Sequence, residues 1–265
     1  MNSPNIIRHV PQPSLRNPLR RRLGVAYHRL KRQAKWAFGG TKFAKPKSDS
    51  GQLPYVHFTH QTPLLRHLVG VDPILEQNKI VNLRLALAKI NNTIIHPGET
   101  LSFWKLIGKP TTRKGYLDGA ILLNGAFSQG LGGGLCHLSG FMYWMALHTP
   151  LTVAERHRHG YDTTPAKFFG SDATCFYNYK DLAIKNNTNQ TFQLVLEIGD
   201  DQLKGIWKSA KPQEHNYEIY EKHAAYHQQD WGRQTRHNHL YRRVFDMQGN
   251  QIADEFIAEN HAIVM

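Results

Sequence analysis

Five consecutive residues, Gly132-Gly133-Gly134-Leu135-Cys136, are the part of this chain best suited to chemistry. A cysteine in the first turn of a helix faces unpaired backbone N–H groups and the positive end of the helix dipole, which favours thiolate over thiol. Glycines before it let a substrate backbone come close, and their N–H groups can form an anion nest. A nucleophile is presented in this way. His137 and Ser139 lie on the same turn and, with Gly132, Gly133 and Gly134, read as substrate-binding. Two further clusters follow, Arg156-His157-Arg158-His159 and Ser171-Asp172-Ala173-Thr174. An imidazole would take the thiol proton, and Asp172 would hold the ring in the right tautomer. The catalytic set read from these residues is Cys136, His159 and Asp172, with Arg156 and His157 beside the substrate. His157 and His159 stand two apart. On one strand their rings would share a face, so alternation leaves the choice of base open.

Other chemistries fit less well. Zinc would need Cys136, His137, His157 and His159, but an adjacent Cys-His pair is poor ligand spacing and no Cys-x-x-Cys supports it. No metal and no cofactor is expected. The two cysteines, Cys136 and Cys175, can form at most one bridge, and a reducing, cytoplasmic setting is the default reading.

The elements that must position these groups are legible in outline. The chain has 265 residues, 40% apolar and 20% charged, which excludes collagen-like and wholly disordered classes. Its longest central apolar run, residues 141–147, is too short to span a bilayer. Net charge is uneven: of the total of +13, the first 50 residues hold twelve Lys/Arg against one acid, Asp49. Residues 1–50 therefore read as a basic extension, 51–212 as the main domain, and 213–265 as a β-rich C-terminal segment, with residues 48–52 as a linker and 1–17 unstructured. Within the extension, Leu19, Leu23, Ala26, Tyr27, Leu30, Ala34, Ala37 and Phe38 trace one face of a helix over 18–38, with Arg and Lys elsewhere and Gly39-Gly40 ending it. That face can pack on the protein's own body or lie on an anionic membrane surface at the inner face of the membrane. No readout motif accompanies the charge, so nucleic acid is not the expected partner.

In the main domain, a helix is expected from about Asn78 to Ile90. A β segment at 93–95 follows, then a type II turn at His96-Pro97-Gly98-Glu99 and a strand or helix start at 100–104. Residues 119–127 read as a hairpin turning at Asn124-Gly125. The Cys136 helix runs to about Leu147. Strands are expected at 151–155, 173–179, 182–185, 191–198, 203–207, 217–220, 240–245 and 251–257, and the histidines between 215 and 239 as surface residues. The class is α+β: a helix with the Gly-Gly-Gly-x-Cys start, packed on a mostly antiparallel sheet.

The order Cys, His, Asp resembles that of transglutaminase-like and NlpC-type cysteine enzymes. More specifically, His96-Pro97-Gly98-Glu99-Thr100-Leu101-Ser102-Phe103-Trp104, Arg113-Lys114-Gly115-Tyr116, Gly132 to Cys136, Glu155-Arg156-His157, His159, Asp172-Ala173-Thr174 and Tyr177-Asn178-Tyr179 resemble the VanW family over roughly residues 78–209. The resemblance implies a link to the cell envelope or to glycopeptide resistance, and with it a peptide or muropeptide-like ligand. It supplies no reaction. The sequence departs from the family where Gln usually follows the cysteine (here His137) and Ser follows the histidine (here Gly160), so the polar lining of the site differs. Alternatives to thiol chemistry on an amide are a non-catalytic ligand site and a membrane-surface accessory protein.

Overall fold

The structure, a computed structural model, describes residues 10, 12–13, 17–46, 51–65, 70–123, 125–162 and 169–265. Most of the 1–17 stretch, residues 48–50 of the expected linker, and Asn124 of the expected turn lie outside the described residues. The first helix, α1, runs Pro18–Phe38, with Asn17 accepting from the Leu19 N–H and Pro18 leading. Strands β1 (Lys45–Pro46) and β2 (Tyr55–Pro63) follow.

Helix α2 spans Pro73–Ile90. It starts five residues ahead of the expected Asn78, because the Asp72 carboxylate caps the Ile74 N–H and Pro73 takes the first helical position. After β3 (Thr93–Ile95), the Glu99 N–H closes onto His96 O at 3.0 Å with Gly98 at φ 81°, as the Pro-Gly pair predicts. Strand β4 (Thr100–Ser102) runs straight into α3 (Phe103–Ile107), with Ser102 as its N-cap. A 3-10 turn at Thr112–Lys114 leads to the hairpin β5 (Asp118–Leu123) and β6 (Ala126–Leu131).

Helix α4 spans Leu135–Leu147. Strands β7 (Thr152–Glu155), β8 (Tyr161–Asp162), β9 (Ala183–Lys185), β10 (Phe192–Ile198) and β11 (Gln202–Ser209) follow. A meander of β12 (Asn216–Gln228), β13 (Gln234–Phe245) and β14 (Gln251–Val264) completes the chain.

The architecture is α+β with mostly antiparallel sheets. A five-stranded sheet has the order β1-β3-β10-β11-β2, a three-stranded one β4-β9-β7, and the meander joins β8 as β12-β13-β14-β8. The β14–β8 pair is parallel; the ladders of the other two sheets are antiparallel. In β10 and β11 the inward residues alternate as Phe192, Leu194, Leu196 and Leu203, Gly205, Trp207, all buried. Gly205 is where α4 rests: a Cβ there would lie 2.6 Å from both Met145 Sδ and Phe141 Cε1.

Two expectations need correction. Residues 173–179 form no strand. Their polar groups meet the start of α4 and the segment after β7 instead: Ser139 Oγ donates to Ala173 O at 2.7 Å, and the Thr174 N–H donates to His157 O at 2.8 Å. The meander strands also run well beyond 217–220, 240–245 and 251–257, because polar residues fill their inner face where apolar alternation fails. His237, expected at the surface, is 1% exposed and bonded to Thr235 Oγ1 at 2.8 Å.

The turn that sets Cys136 is held by Asn82, fully buried on α2. Its amide donates to Leu117 O (3.0 Å) and Gly133 O (2.9 Å), and its carbonyl accepts from the Leu117 N–H (2.9 Å). Replacing Asn82 by Ala strands the Leu117 N–H and Gly133 O. Urea unfolding is expected to show a loss of about 1–3 kcal/mol.

Candidate functional site

Cys136 is the second residue of α4. That helix has no acidic residue in its first turn and no side-chain cap, so its dipole is not neutralised locally. Gly134, its N-cap, sits at φ 90°. The demand for glycine here is steric. A Cβ on Gly134 would lie 2.1 Å from Lys79 Cγ, and one on Gly133 would lie 2.2 Å from the carbonyl carbon of Gly119 in the hairpin. Gly132 N–H donates to Leu117 O and Gly133 N–H to Gly130 O, both at 2.9 Å. Those two N–H groups are therefore committed to the turn and do not form an open anion nest, although all three glycines line the cavity described below.

Around the half-buried Cys136 sulfur, the Cys175 N–H donates to it at 3.4 Å, Thr174 Oγ1 lies at 3.5 Å and Cys175 Sγ at 3.7 Å. Both thiols are free. The Cys175 thiol, followed by His159 and Thr174, holds Cys136 well below the ordinary thiol pKa against the opposing effect of burial. Burial and the neighbouring Cys136 charge push Cys175 well above it.

The strand β7 ends at Glu155, so residues 156–159 escape strand alternation and the two histidines part company. His157 Nε2 meets Glu155 Oε1 at 3.0 Å. His159 turns to Cys136. Its Nδ1–H donates to Asp172 Oδ2, and its backbone N–H meets the same oxygen at 3.3 Å. The ring and the Cys136 sulfur line the same cavity, and each shifts the other towards its charged form. Burial alone would lower the His159 pKa, but Asp172 and Cys136 together raise it to about 10. Asp172, despite its burial, is lowered by His159 and Arg156. Each of these shifts favours the charged form of its group, in the order Cys136, His159, Asp172.

Arg156, read from the sequence as touching substrate, braces the carboxylate. Its guanidinium donates to Asp172 O (2.8 Å), Asp172 Oδ1 (3.3 Å), Gly170 O (2.8 Å) and Asn260 Oδ1 (2.6 Å), and stacks over the Tyr143 ring. Ser139, likewise read as substrate-binding, is buried with its hydroxyl on Ala173 O. Neither it nor Arg156 nor His157 lines the cavity next to the sulfur. His137 does line it, with Nε2 at 3.0 Å from Thr62 Oγ1. Cys136, His137, His157 and His159 do not converge on a point, and among the described residues no group of three or more His, Cys, Asp and Glu side chains could hold a metal.

The cavity has a volume of about 700 Å³. Cys136, His159, Asp172 and Thr174 form one wall. Trp104, Ile121, Leu122, Phe127, Phe141 and Trp144 make it largely apolar, and Arg29, Lys109 and the Glu76–Lys79 ion pair (2.5 Å) add charge. Sequence reasoning missed Cys175, Thr174 and Arg29 as site residues. The first two stand right after Asp172-Ala173, and only the folded loop returns them to Cys136. It also missed Asp181, which accepts from Ser102 Oγ (2.5 Å) and the Trp104 N–H (3.0 Å) and whose burial lifts its pKa to about 6. The Leu-Ser-Phe-Trp motif thus supports the site from behind.

A family profile described as "VanW like protein" matches residues 78–207, which include Cys136, His159 and Asp172. The chain belongs to the VanW family. It is 36% identical over 166 residues to a protein of Enterococcus faecalis named vancomycin B-type resistance protein VanW, covering 61% of this chain and 60% of that one. It is 30% identical over 145 residues to an uncharacterised protein, YoaR, of Bacillus subtilis, covering 55% and 46%. The chain thus spans about half the length of the curated relatives it matches. No solved structure matches. The VanW domain ends before β12, yet Asn260 of β14 reaches back to Arg156, so the site is completed from outside the matched region.

Two measurements check the electrostatics. At pH 7, below the ordinary thiol pKa of about 8.5, iodoacetamide is expected to alkylate Cys136 at least about tenfold faster than Cys175. His159→Ala should move the rate inflection of Cys136 to higher pH. Because the folded His159 pKa is about 10 against 6.5 for a free ring, its stabilisation is complete below 6.5 and lost as pH rises through 10. Up to the unfolded thiol pKa of about 8.5 the lowered Cys136 offsets this loss, so the melting temperature should fall chiefly above it, and less so in His159→Ala.

Proposed function

We propose that this VanW-family protein carries out thiol chemistry on an amide or peptide bond of a muropeptide-like substrate. The observation that carries this reading is the Cys136–His159–Asp172 line along one wall of the cavity. In the first step the sulfur lone pair forms a C–S bond to the carbonyl carbon. The C–N bond then breaks, and the His159 proton goes to the departing nitrogen. Water next attacks the thioester, gives a proton to His159 and releases the acid with the thiolate restored. Asp172 keeps the ring oriented throughout. The reading calls for no cofactor.

The printed name of the Enterococcus faecalis relative supports an envelope or glycopeptide-resistance setting for such chemistry. The size and apolar walls of the cavity also suit a second reading, a site that holds an envelope fragment without turning it over.

The two readings separate on mixed muropeptides followed by mass spectrometry. Turnover is expected from the wild type and none from Cys136→Ala, with the fold kept. His159→Ala should lose roughly 10²–10⁴-fold in rate, and hydroxylamine should trap a thioester. If no amide is cleaved, and thermal stabilisation by the same fragments persists in Cys136→Ser, the binding reading replaces the catalytic one.

A further inference from the structure

Helix α1 is docked by the face opposite to its apolar one. Val25, Arg29, Arg32 and Trp36, spaced four, three and four apart, are its half-buried row. Arg29 Nε donates to Tyr177 O at 2.9 Å, Arg32 forks onto Glu155 (Nη1 to Oε2 2.7 Å), and Trp36 packs against the core with Lys105 over its ring. The row of Leu19, Leu23, Tyr27 and Leu30 is 61–67% exposed, and Phe38 is 88% exposed. No residue of α1 is fully buried. Of the two readings of this helix, packing of its apolar face on the body is therefore excluded by the contacts that hold it.

We propose that the outward face of α1 seats the protein on an anionic lipid surface. The ridge is about 30 Å long and convex, which suits insertion at the headgroup boundary rather than seating in a partner's groove. The exposed cations Arg20, Arg21, Arg22, Lys31 and Lys35 accompany it, and the helix contains no acid, so lipid phosphates are the complementary charge. Two copies ridge to ridge would bring ten like charges together. A nucleic acid would use the cations and leave the leucines in water. Since Arg29 lines the Cys136 cavity from the other face, the lipid ridge and a wall of the site are two sides of one element.

The test is sedimentation of the full chain with vesicles of phosphatidylcholine alone or with one-third phosphatidylglycerol. Binding is expected only to the anionic vesicles, weakened by salt, and reduced at least about tenfold by Leu23→Glu with Leu30→Glu. Arg20, Arg21 and Arg22 together changed to Gln should weaken it less and flatten the salt dependence. Circular dichroism checks the fold. Cys136→Ala should bind like the wild type, so failure of the thiol reading leaves this result untouched. Failure to bind anionic vesicles, equal binding to both vesicle types, or binding unchanged in the double Glu variant would overturn the proposal. So would a wild-type dimer in solution that the Glu variant abolishes.

Discussion

One carboxylate organises the centre of this molecule. Asp172 divides its oxygens: Oδ2 takes the ring and backbone N–H of His159, and Oδ1 takes Arg156. An anion in this position favours the protonated imidazole, and the imidazole, after the Cys175 thiol, favours the ionised form of the neighbouring sulfur. Without the anion, burial would drive His159 towards neutrality and leave Cys136 with a weaker partner. The carboxylate is fixed by distant parts of the chain. Arg156 also grips Gly170 O and Asn260, and Asn260 packs so closely that a Cβ on Gly170 would lie 2.2 Å from its side chain. The C-terminal meander, through Asn260 and Arg156, thus braces the carboxylate beside His159.

The second thiol follows the same logic. Two sulfurs 3.7 Å apart in a half-buried pocket cannot both carry charge. The helix N-terminus and the His159 ring favour the charge on Cys136, whereas burial and that neighbour push the Cys175 thiol up, which places Cys175 to donate to it. Both thiols are free, and Cys175 is buried against the Cys136 sulfur.

Residues chosen by sequence for ligand contact often turn out to serve the scaffold. The glycines before Cys136 are required because hairpin and turn backbones touch, and because Lys79 passes directly over Gly134. Ser102, Trp104 and Asp181 knit β4, α3 and the loop before β9 together behind the cavity. Glu155, held at about 2 by His157 and Arg32 in spite of its burial, ties α1 to the body. Rigid surroundings of this kind are what keep a small number of polar groups aligned in a largely apolar cavity.

How much was legible depended on the range of the forces involved. Period and turn chemistry are local, so the α+β class, the Pro97-Gly98 turn and the strands β10 and β11 could be read directly from residues. The start of α2 was misplaced only because the Asp72-Pro73 cap lies ahead of the apolar pattern. Residues 173–179 have strand composition, but their backbone groups find partners at α4, at His157 and on α1, a long-range choice no window reveals. Alternation could not separate His157 from His159, since the chain leaves its strand at Glu155, ahead of both, and Glu155 and Asp172 capture one ring each. By itself the sequence determined that a cysteine would follow a glycine turn, and that a basic helix would carry an apolar stripe. Tertiary structure alone decided which imidazole meets the sulfur and which face of that helix meets the body, because both depend on partners brought together only by folding.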